Sequence, residues 1–251
     1  MVHHALINVL GPFFERRYIF DSDVCHKGKG QHAALKRAEK FVRCNFFYLK
    51  MDIRKFYDTM NPVVLSDILQ RQIKDRRVLE LFDCISTSYC TVEGQGLPLG
   101  NLTRQYLGNI SLDQFDHWMK EYQQCRCYLR YMGDMLCLGT QTQMRTLRDA
   151  SVEWFREKLC LDLNHCGEIN RVSKGIPFLG QVLHPQGTRR VQRSEHRLRS
   201  KFRRLEQQVD RELVSPVKLT ARCGSLFAGA SYGNTIGLRR FLANTSRFGD
   251  A

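Results

Sequence analysis

The chain has 251 residues, of which 43% are hydrophobic, so its length and composition support a sizeable buried core and exclude a disordered chain. Its 39 Lys and Arg residues against 25 Asp and Glu give a net charge of +14, which indicates a polyanionic partner, nucleic acid before an anionic membrane. No apolar run reaches the roughly 18 residues that cross a bilayer, and the N-terminus lacks the order of a signal peptide. We therefore expect a cytoplasmic protein with no membrane partner. The ten scattered cysteines favour reduced, half-buried thiols over a zinc site.

Two helices, separated by a basic loop, are predicted before the first strand. Residues 2–10 have the apolar spacing of a buried helix, which the Gly-Pro pair at 11–12 should end. The Gly-Lys-Gly loop at 28–30 leads into a basic helix over 31–40. A lysine between glycines ahead of a helix can hold a phosphate, and a solvated basic loop is an equal alternative. Residues 46–53 are predicted as a strand.

The middle of the chain is predicted as helices around a glycine-rich loop. Two helices have apolar faces at 64–69 and 78–85. Three glycines at 94–100 then precede a long helix that should end near residue 122. Such a loop can approach a base or a phosphate closely, although a plain surface loop is the stronger interpretation of this segment alone.

Two short apolar runs around Gly133 and Asp134 predict a tight β-hairpin with Asp134 at its tip. Aspartate is common in turns for reasons of local hydrogen bonding, so this residue alone indicates nothing. The predicted strand upstream, however, carries Asp52. Two strands that bring carboxylates together would form a site for Mg²⁺, which prefers hard oxygen ligands.

The C-terminal part changes character. A helix is predicted near 141–160 and a pair of strands around 175–183. Basic residues then crowd residues 189–204 beside a helical apolar stripe. A basic amphipathic helix can be a solvated face only, but this charge density favours contacts with phosphates.

Five segments, in order along the chain, resemble motifs of reverse transcriptases, in particular the bacterial group that includes diversity-generating retroelements and group II introns. These segments are residues 28–34, residues 51–58 around Asp52, residues 96–105, Tyr131-Met132-Gly133-Asp134 and Phe178-Leu179-Gly180. Most reverse transcriptases have Gln before the second glycine of the third segment. Leu99 at this position is similar to the low-fidelity, diversity-generating branch.

This resemblance implies an α/β fold, a right-hand polymerase palm with an antiparallel sheet, truncated fingers and a C-terminal α-helical thumb. The implied domains are partial fingers over 1–45, the palm over 46–186 and the thumb over 187–251. The implied activity is that of an RNA-directed DNA polymerase, a nucleotidyltransferase that uses two Mg²⁺ ions and copies with errors. Its partners would be an RNA template, a DNA primer and dNTPs, and an accessory protein is a further candidate partner.

The resemblance also implies roles for single residues. Asp52 and Asp134 would be catalytic and would hold the metal ions together with the carbonyl of Ile53, and Tyr57 would be a steric gate against a ribose 2′-hydroxyl. The implied nucleotide-binding residues are Ile53, Arg54, Tyr57, Leu99, Gly100 and Gln105. The implied primer grip is Phe178, Leu179 and Gly180, and the implied contacts with the nucleic-acid backbone are Lys29, Lys36, Arg197, Lys201 and Arg204.

Three departures from the family pattern count against activity. Gly133 stands where the family has a metal-ligating aspartate, the strands that should precede Val2 are missing, and Gly167 stands where many relatives have a lysine. Two hypotheses follow, an active reverse transcriptase and a relative that binds primer–template without extending it. A truncated gene product without a selected function is a third, plainer alternative.

Overall fold

The computed structural model describes residues 2–24, 28–87, 96–97, 102–190, 192–210 and 222. The chain divides into two compact units, Met1–Val172 and Ser173–Ala251. This boundary falls inside the region predicted as palm, and the assignment of fingers, palm and thumb to residue ranges stays a prediction. Within the described ranges, no helix has both the length and the apolar character to cross a bilayer.

The first unit combines a small antiparallel sheet with helices. Its helices are α1 (Val2–Glu15), α2 (Gln31–Arg43), α3 (Phe56–Thr59), α4 (Pro62–Gln72), α5 (Arg76–Thr87), α6 (Leu102–His117), which continues as a π-helical turn (Trp118–Tyr122), and α7 (Gln141–Leu159). Its strands are β1 (Phe47–Asp52), β2 (Tyr128–Tyr131), β3 (Asp134–Gly139) and β4 (Glu168–Arg171). The second unit contains a sheet of β5 (Ile176–Phe178), β6 (Gln181–His184) and β7 (Gly187–Arg190), followed by α8 (Gln192–Asp210).

The sheet of the first unit has the order β2-β3-β1-β4, and all its neighbours are antiparallel. A hydrophobic cluster lies on one face of this sheet, where buried strand residues meet aromatic residues of α6 and α7; the opposite face is also buried at Tyr48, Leu136 and Leu138. The cluster includes Leu49, Met51, Met135, Cys137, Phe115 and Phe155. Because side chains alternate along a strand, Asp52 and Asp134 project from the opposite face.

Most predicted elements are confirmed, because their apolar spacing is unambiguous. The hairpin forms with Tyr131 paired to Asp134. The expectation that Asp134 lies at the tip is wrong: the turn is Met132-Gly133, and Asp134 is the first residue of β3. The long helix reaches residue 122 only through a π-helical last turn.

The prediction that α1 ends at residues 11–12 is wrong. The helix runs through Pro12 to Glu15. A proline inside a helix removes one backbone hydrogen bond, but burial of Phe14, which is fully inaccessible, continues the helix beyond it. Gly11 lies against the ring of Tyr106 on α6, where an added Cβ would come within 3.2 Å of the hydroxyl oxygen. Tertiary packing therefore overrides the local breaker.

The cysteines within the described residues are free thiols. Cys125 and Cys137 are buried in the core. Four other cysteines are exposed, at the ends of elements or on solvent faces: Cys44, Cys84, Cys160 and Cys166. For these four, the expectation of half-buried thiols is wrong.

Asp113 on α6 is expected to make stability depend on pH. Its carboxylate is buried, and burial together with the Asp116 charge raises the pKa of Asp113 to about 6. Between about pH 4 and pH 6 the folded state keeps a proton that the unfolded state releases, so this residue lowers the free energy of unfolding as pH rises. We expect Asp113→Asn to stabilise the protein at pH 7 by on the order of 1 kcal/mol and to remove this part of the pH dependence.

Urea unfolding at pH 4, 5, 6 and 7 checks this expectation. Asp149→Asn is the control, because Asp149 is exposed on α7. A difference between Asp113→Asn and the wild type that is constant with pH would contradict it.

Candidate functional site

The predicted catalytic carboxylates meet at one point of the sheet. Asp52 is the last residue of β1, Asp134 is the first of β3, and the two are direct cross-strand partners. Asn164 donates from Nδ2 to Asp52 Oδ2 at 2.7 Å, and Lys50 Nζ lies 3.9 Å from Asp134 Oδ1. Ile53, the predicted carbonyl ligand, follows Asp52 directly and pairs with Leu163 in an isolated bridge.

The charges of this group influence one another. Burial raises the pKa of Asp134 above its ordinary value, the Lys50 ammonium opposes this shift, and the Asp52 carboxylate adds to it. A second carboxylate nearby disfavours the ionised form, as expected for like charges that share a site. An additional positive charge near Asp52 and Asp134 would therefore stabilise their ionised forms.

A cleft with a volume of about 720 Å³ opens beside Asp52. Its lining residues are Lys50, Asp52, Asn164, His165, Gly167 and Glu168. The wall at 165–167 has positive φ at three consecutive residues, of which only Gly167 is a glycine. An added Cβ at Gly167 would lie 3.0 Å from Leu49 Cδ1. A lysine at this position, which the resemblance implies, would thus need both a strained backbone and a shift of the core.

The turn residue Gly133 is not required by the backbone. Met132 carries the left-handed conformation of the turn, with φ 53°, whereas Gly133 is not among the residues with positive φ. An added Cβ would lie 3.6 Å from Phe56 Cδ1 and 3.7 Å from Asp52 Oδ1, which are ordinary van der Waals contacts. An aspartate would fit at Gly133, and its Cβ would start beside Asp52. The backbone conformation therefore does not explain why this position has a glycine in place of the expected aspartate.

The residues predicted to bind a nucleotide are only partly described. Arg54 and Gln105 are exposed, and Leu99 and Gly100 lie outside the described residues. The ring of Tyr57 lies 4.3 Å from the guanidinium of Arg104.

Two residues of α6, Arg104 and Gly108, lie against the Tyr57 ring. Arg104 also forms an ion pair with Asp58 at 3.3 Å. Gly108 allows the close approach, because an added Cβ would lie 2.9 Å from Tyr57 Cε1. Sequence reasoning missed this cluster; a cation one helical turn before the glycine was its only signal.

A buried ion pair supports the hairpin and was also missed. Arg130 on β2 is fully buried and donates to both carboxylate oxygens of Asp116. Its remaining donors reach Asn109, Ser22 and the carbonyl of Met132 in the turn. The available signal is an arginine in a strand of core-facing residues, which requires an acidic partner.

The other predicted nucleic-acid contacts are spread over both units. Phe178 is buried in β5, and Leu179 and Gly180 form the turn to β6 with positive φ. Lys29 binds its own chain, because its ammonium donates to the carbonyl of Phe20 and lies 4.1 Å from the centre of the Phe20 ring. The remaining residues are exposed: Lys36 on α2, and Arg197, Lys201 and Arg204 on α8.

The donor set at the carboxylates is small for two metal ions. In the described part of the chain, no group of three His, Cys, Asp or Glu side chains could hold a metal ion. Asp52 and Asp134 supply ligand oxygens, whereas Lys50 and the Asn164 amide nitrogen carry N–H groups that compete with a cation for these oxygens. This chemistry fits one hydrated Mg²⁺ ion held by two carboxylates better than it fits two ions. The predicted metal content stays a prediction.

No protein-family model matches the sequence. The chain is 31% identical over 87 residues to nuclear intron maturase 1, mitochondrial, of Arabidopsis thaliana; the match covers 33% of this chain and 12% of the maturase. It is 22% identical over 129 residues to the putative COX1/OXI3 intron 1 protein of Saccharomyces cerevisiae, covering 49% of this chain and 16% of that protein. The matched part is thus a small fraction of both relatives.

Solved telomerase structures share the fold. A telomerase of Candida albicans, solved with a fragment of telomeric RNA, superposes with a TM-score of 0.55 at 12% identity, over 75% of this chain and 38% of that chain. A Candida tropicalis telomerase truncated from its C-terminal domain gives 0.55 at 14% identity, over 76% and 44%. Identities this low show the fold alone, which is the right-hand polymerase fold with palm and thumb. The predicted fold class is thereby confirmed.

The two intron proteins bear on which branch of reverse transcriptases the sequence resembles. Neither match supports the bacterial diversity-generating branch that Leu99 favours. The chain is therefore similar to two intron proteins in part of its sequence and to telomerases in its fold.

Proposed function

We propose that this chain binds a primer–template, an RNA template paired with a DNA primer, and that its own centre extends the primer weakly or not at all. One observation carries the proposal: Gly133 leaves two facing carboxylates, Asp52 and Asp134, with Lys50 beside them. The net charge of +14 supports binding to nucleic acid. The matches to an intron maturase and an intron protein support RNA as one partner.

A second candidate is an active RNA-directed DNA polymerase that uses dNTPs and Mg²⁺. The cross-strand pairing of Asp52 with Asp134 favours it, since two adjacent carboxylates can hold a Mg²⁺ ion that assists nucleotidyl transfer. Because both curated relatives are intron proteins, a group II intron-like origin is better supported than a diversity-generating one. Error-prone copying, an accessory protein and a cytoplasmic location stay predictions.

Binding should depend on the exposed basic residues of α8. We expect an RNA–DNA primer–template to bind with an affinity that falls steeply with salt. Replacing Arg197, Lys201 and Arg204 with alanine should reduce the slope of log Kd against log salt by about 2 to 3, since each phosphate contact releases roughly one counterion. Fluorescence anisotropy at several salt concentrations measures both quantities.

The control is a second triple variant that removes the same charge elsewhere. Arg71, Lys74 and Arg76 are exposed at the junction of α4 and α5 and are not predicted to touch nucleic acid. Equal salt slopes for the two triple variants would contradict a role for α8. A wild-type chain that does not bind primer–template at 50 mM salt would overturn the proposed function.

A further inference from the structure

We propose that the Lys50 ammonium serves as a resident cation of the carboxylate pair, so that the centre takes at most one divalent cation and Lys50 competes with it for Asp134. The inference rests on the proposed function in one respect: it specifies how many cations the same centre holds. It concerns the protein in the absence of nucleic acid.

The register of the sheet places Lys50 where it can act in this way. Lys50 precedes Asp52 by two residues on the central strand β1, so both project from the face opposite the hydrophobic cluster. Its Nζ lies 3.9 Å from Asp134 Oδ1 on one neighbouring strand, β3. Its cross-strand partner on the other neighbouring strand, β4, is Glu168. Lys50 therefore stands between acidic residues of both neighbours, at the wall of the cleft that Asp52 also lines.

The polar groups around the carboxylates leave few free oxygen ligands for a second ion. Asn164 Nδ2 donates a hydrogen bond to one oxygen of Asp52 at 2.7 Å, and the ammonium of Lys50 lies 3.9 Å from one oxygen of Asp134. Both are groups that a divalent cation would have to displace or repel. Gly133 adds no side-chain oxygen that would compensate. A metal ion and Lys50 thus supply alternative positive charges to the same oxygens.

Lys50 is three-quarters buried, with 26% of its side chain exposed. A lysine on a fully solvated strand face would extend into water, whereas this side chain is mostly withdrawn from solvent and its Nζ lies near Asp134. Partial burial strengthens its interaction with Asp134 compared with a fully exposed pair. This favours a specific role over a chance surface contact.

Counting Mn²⁺ ions tests the inference, with Mn²⁺ alone as the probe and electron paramagnetic resonance as the readout. We expect the wild type to bind at most one ion, Lys50→Met to bind it about tenfold more tightly, and Lys50→Arg, which keeps the charge, to bind like the wild type. Lys158→Met is the matched control, because Lys158 is exposed near the end of α7, and should also bind like the wild type. Gly133→Asp should bind a second ion.

A thermal melt gives an independent readout for the case that Lys50→Met folds poorly. The melting temperature of Lys50→Met should be lower in EDTA than in Mn²⁺. That of Lys50→Arg should differ between the two solutions as little as that of the wild type. Two tightly bound ions in the wild type, or equal Mn²⁺ affinity of Lys50→Met and the wild type, would overturn the inference. Since these measurements use no nucleic acid, a failure to bind primer–template would overturn the proposed function alone.

Discussion

Replacing Gly133 with aspartate is expected to raise primer extension by about 100-fold, a gain of ~2.7 kcal/mol in transition-state stabilisation. The added carboxylate would provide the oxygen ligand that the centre lacks, beside Asp52 and on the same turn as Asp134. The backbone accepts it, because Gly133 does not need positive φ and an added Cβ meets its nearest neighbours, Phe56 and Asp52, at 3.6 Å and 3.7 Å. The expected gain is therefore electrostatic and not a relief of strain.

Extension of a labelled DNA primer on an RNA template, in Mg²⁺ and in Mn²⁺, measures this gain. Gly133→Asn is the matched control: its side chain has the same size without the negative charge, so it should remain at the wild-type level. Adding Asp52→Ala to Gly133→Asp should abolish the new activity. If Gly133→Asp and Gly133→Asn extended equally, the missing carboxylate would not explain the weak centre.

The sequence predicts the order of the elements well because each has a strong local pattern. The hairpin is an example: two apolar runs separated by a short turn allow few alternatives, and the register then follows from which side chains must be buried. The meeting of Asp52 and Asp134 follows from this register once β1 and β3 are neighbours. Their catalytic role, in contrast, stays a prediction.

The features that sequence reasoning missed depend on contacts between distant residues. Whether Lys50 faces Asp134 is decided by the alignment of β1 on β3, and whether Arg104 reaches Tyr57 is decided by the position of α6. The same holds for Pro12, where the burial of Phe14 outweighs a local helix breaker. Local propensity carries no information on such packing.

Breaking the buried ion pair behind the hairpin is expected to have the largest effect on stability. Arg130 and Asp116 are both fully inaccessible, with Nη2 and Oδ2 2.6 Å apart. Arg130→Met would leave the Asp116 carboxylate in the core with the hydroxyl of Tyr128 as its remaining close partner, at 2.6 Å. An uncompensated buried charge costs about 3–5 kcal/mol, so we expect the free energy of unfolding to fall by this amount.

Urea unfolding of a double-mutant cycle separates the ion pair from the packing around it. Arg130→Met with Asp116→Leu should be less destabilising than the sum of the single variants by on the order of 2 kcal/mol, because the double variant leaves no buried charge. Arg148→Met is the control, since Arg148 pairs with Asp149 at 2.8 Å on the exposed face of α7. An exposed pair of this kind contributes about 0–1 kcal/mol. A loss for Arg130→Met as small as for Arg148→Met would contradict the prediction.

The same variant links stability to the candidate site. Arg130 Nη1 donates to the carbonyl of Met132 at 3.2 Å, so it holds the turn that precedes Asp134. In the Gly133→Asp background, Arg130→Lys is therefore expected to lower primer extension by about tenfold, or ~1.4 kcal/mol, while most molecules remain folded. Lysine keeps the charge beside Asp116 but lacks the planar fork of donors that reaches the acid and the turn together. Unchanged extension by a folded Arg130→Lys variant would show that the turn keeps its geometry without this bond.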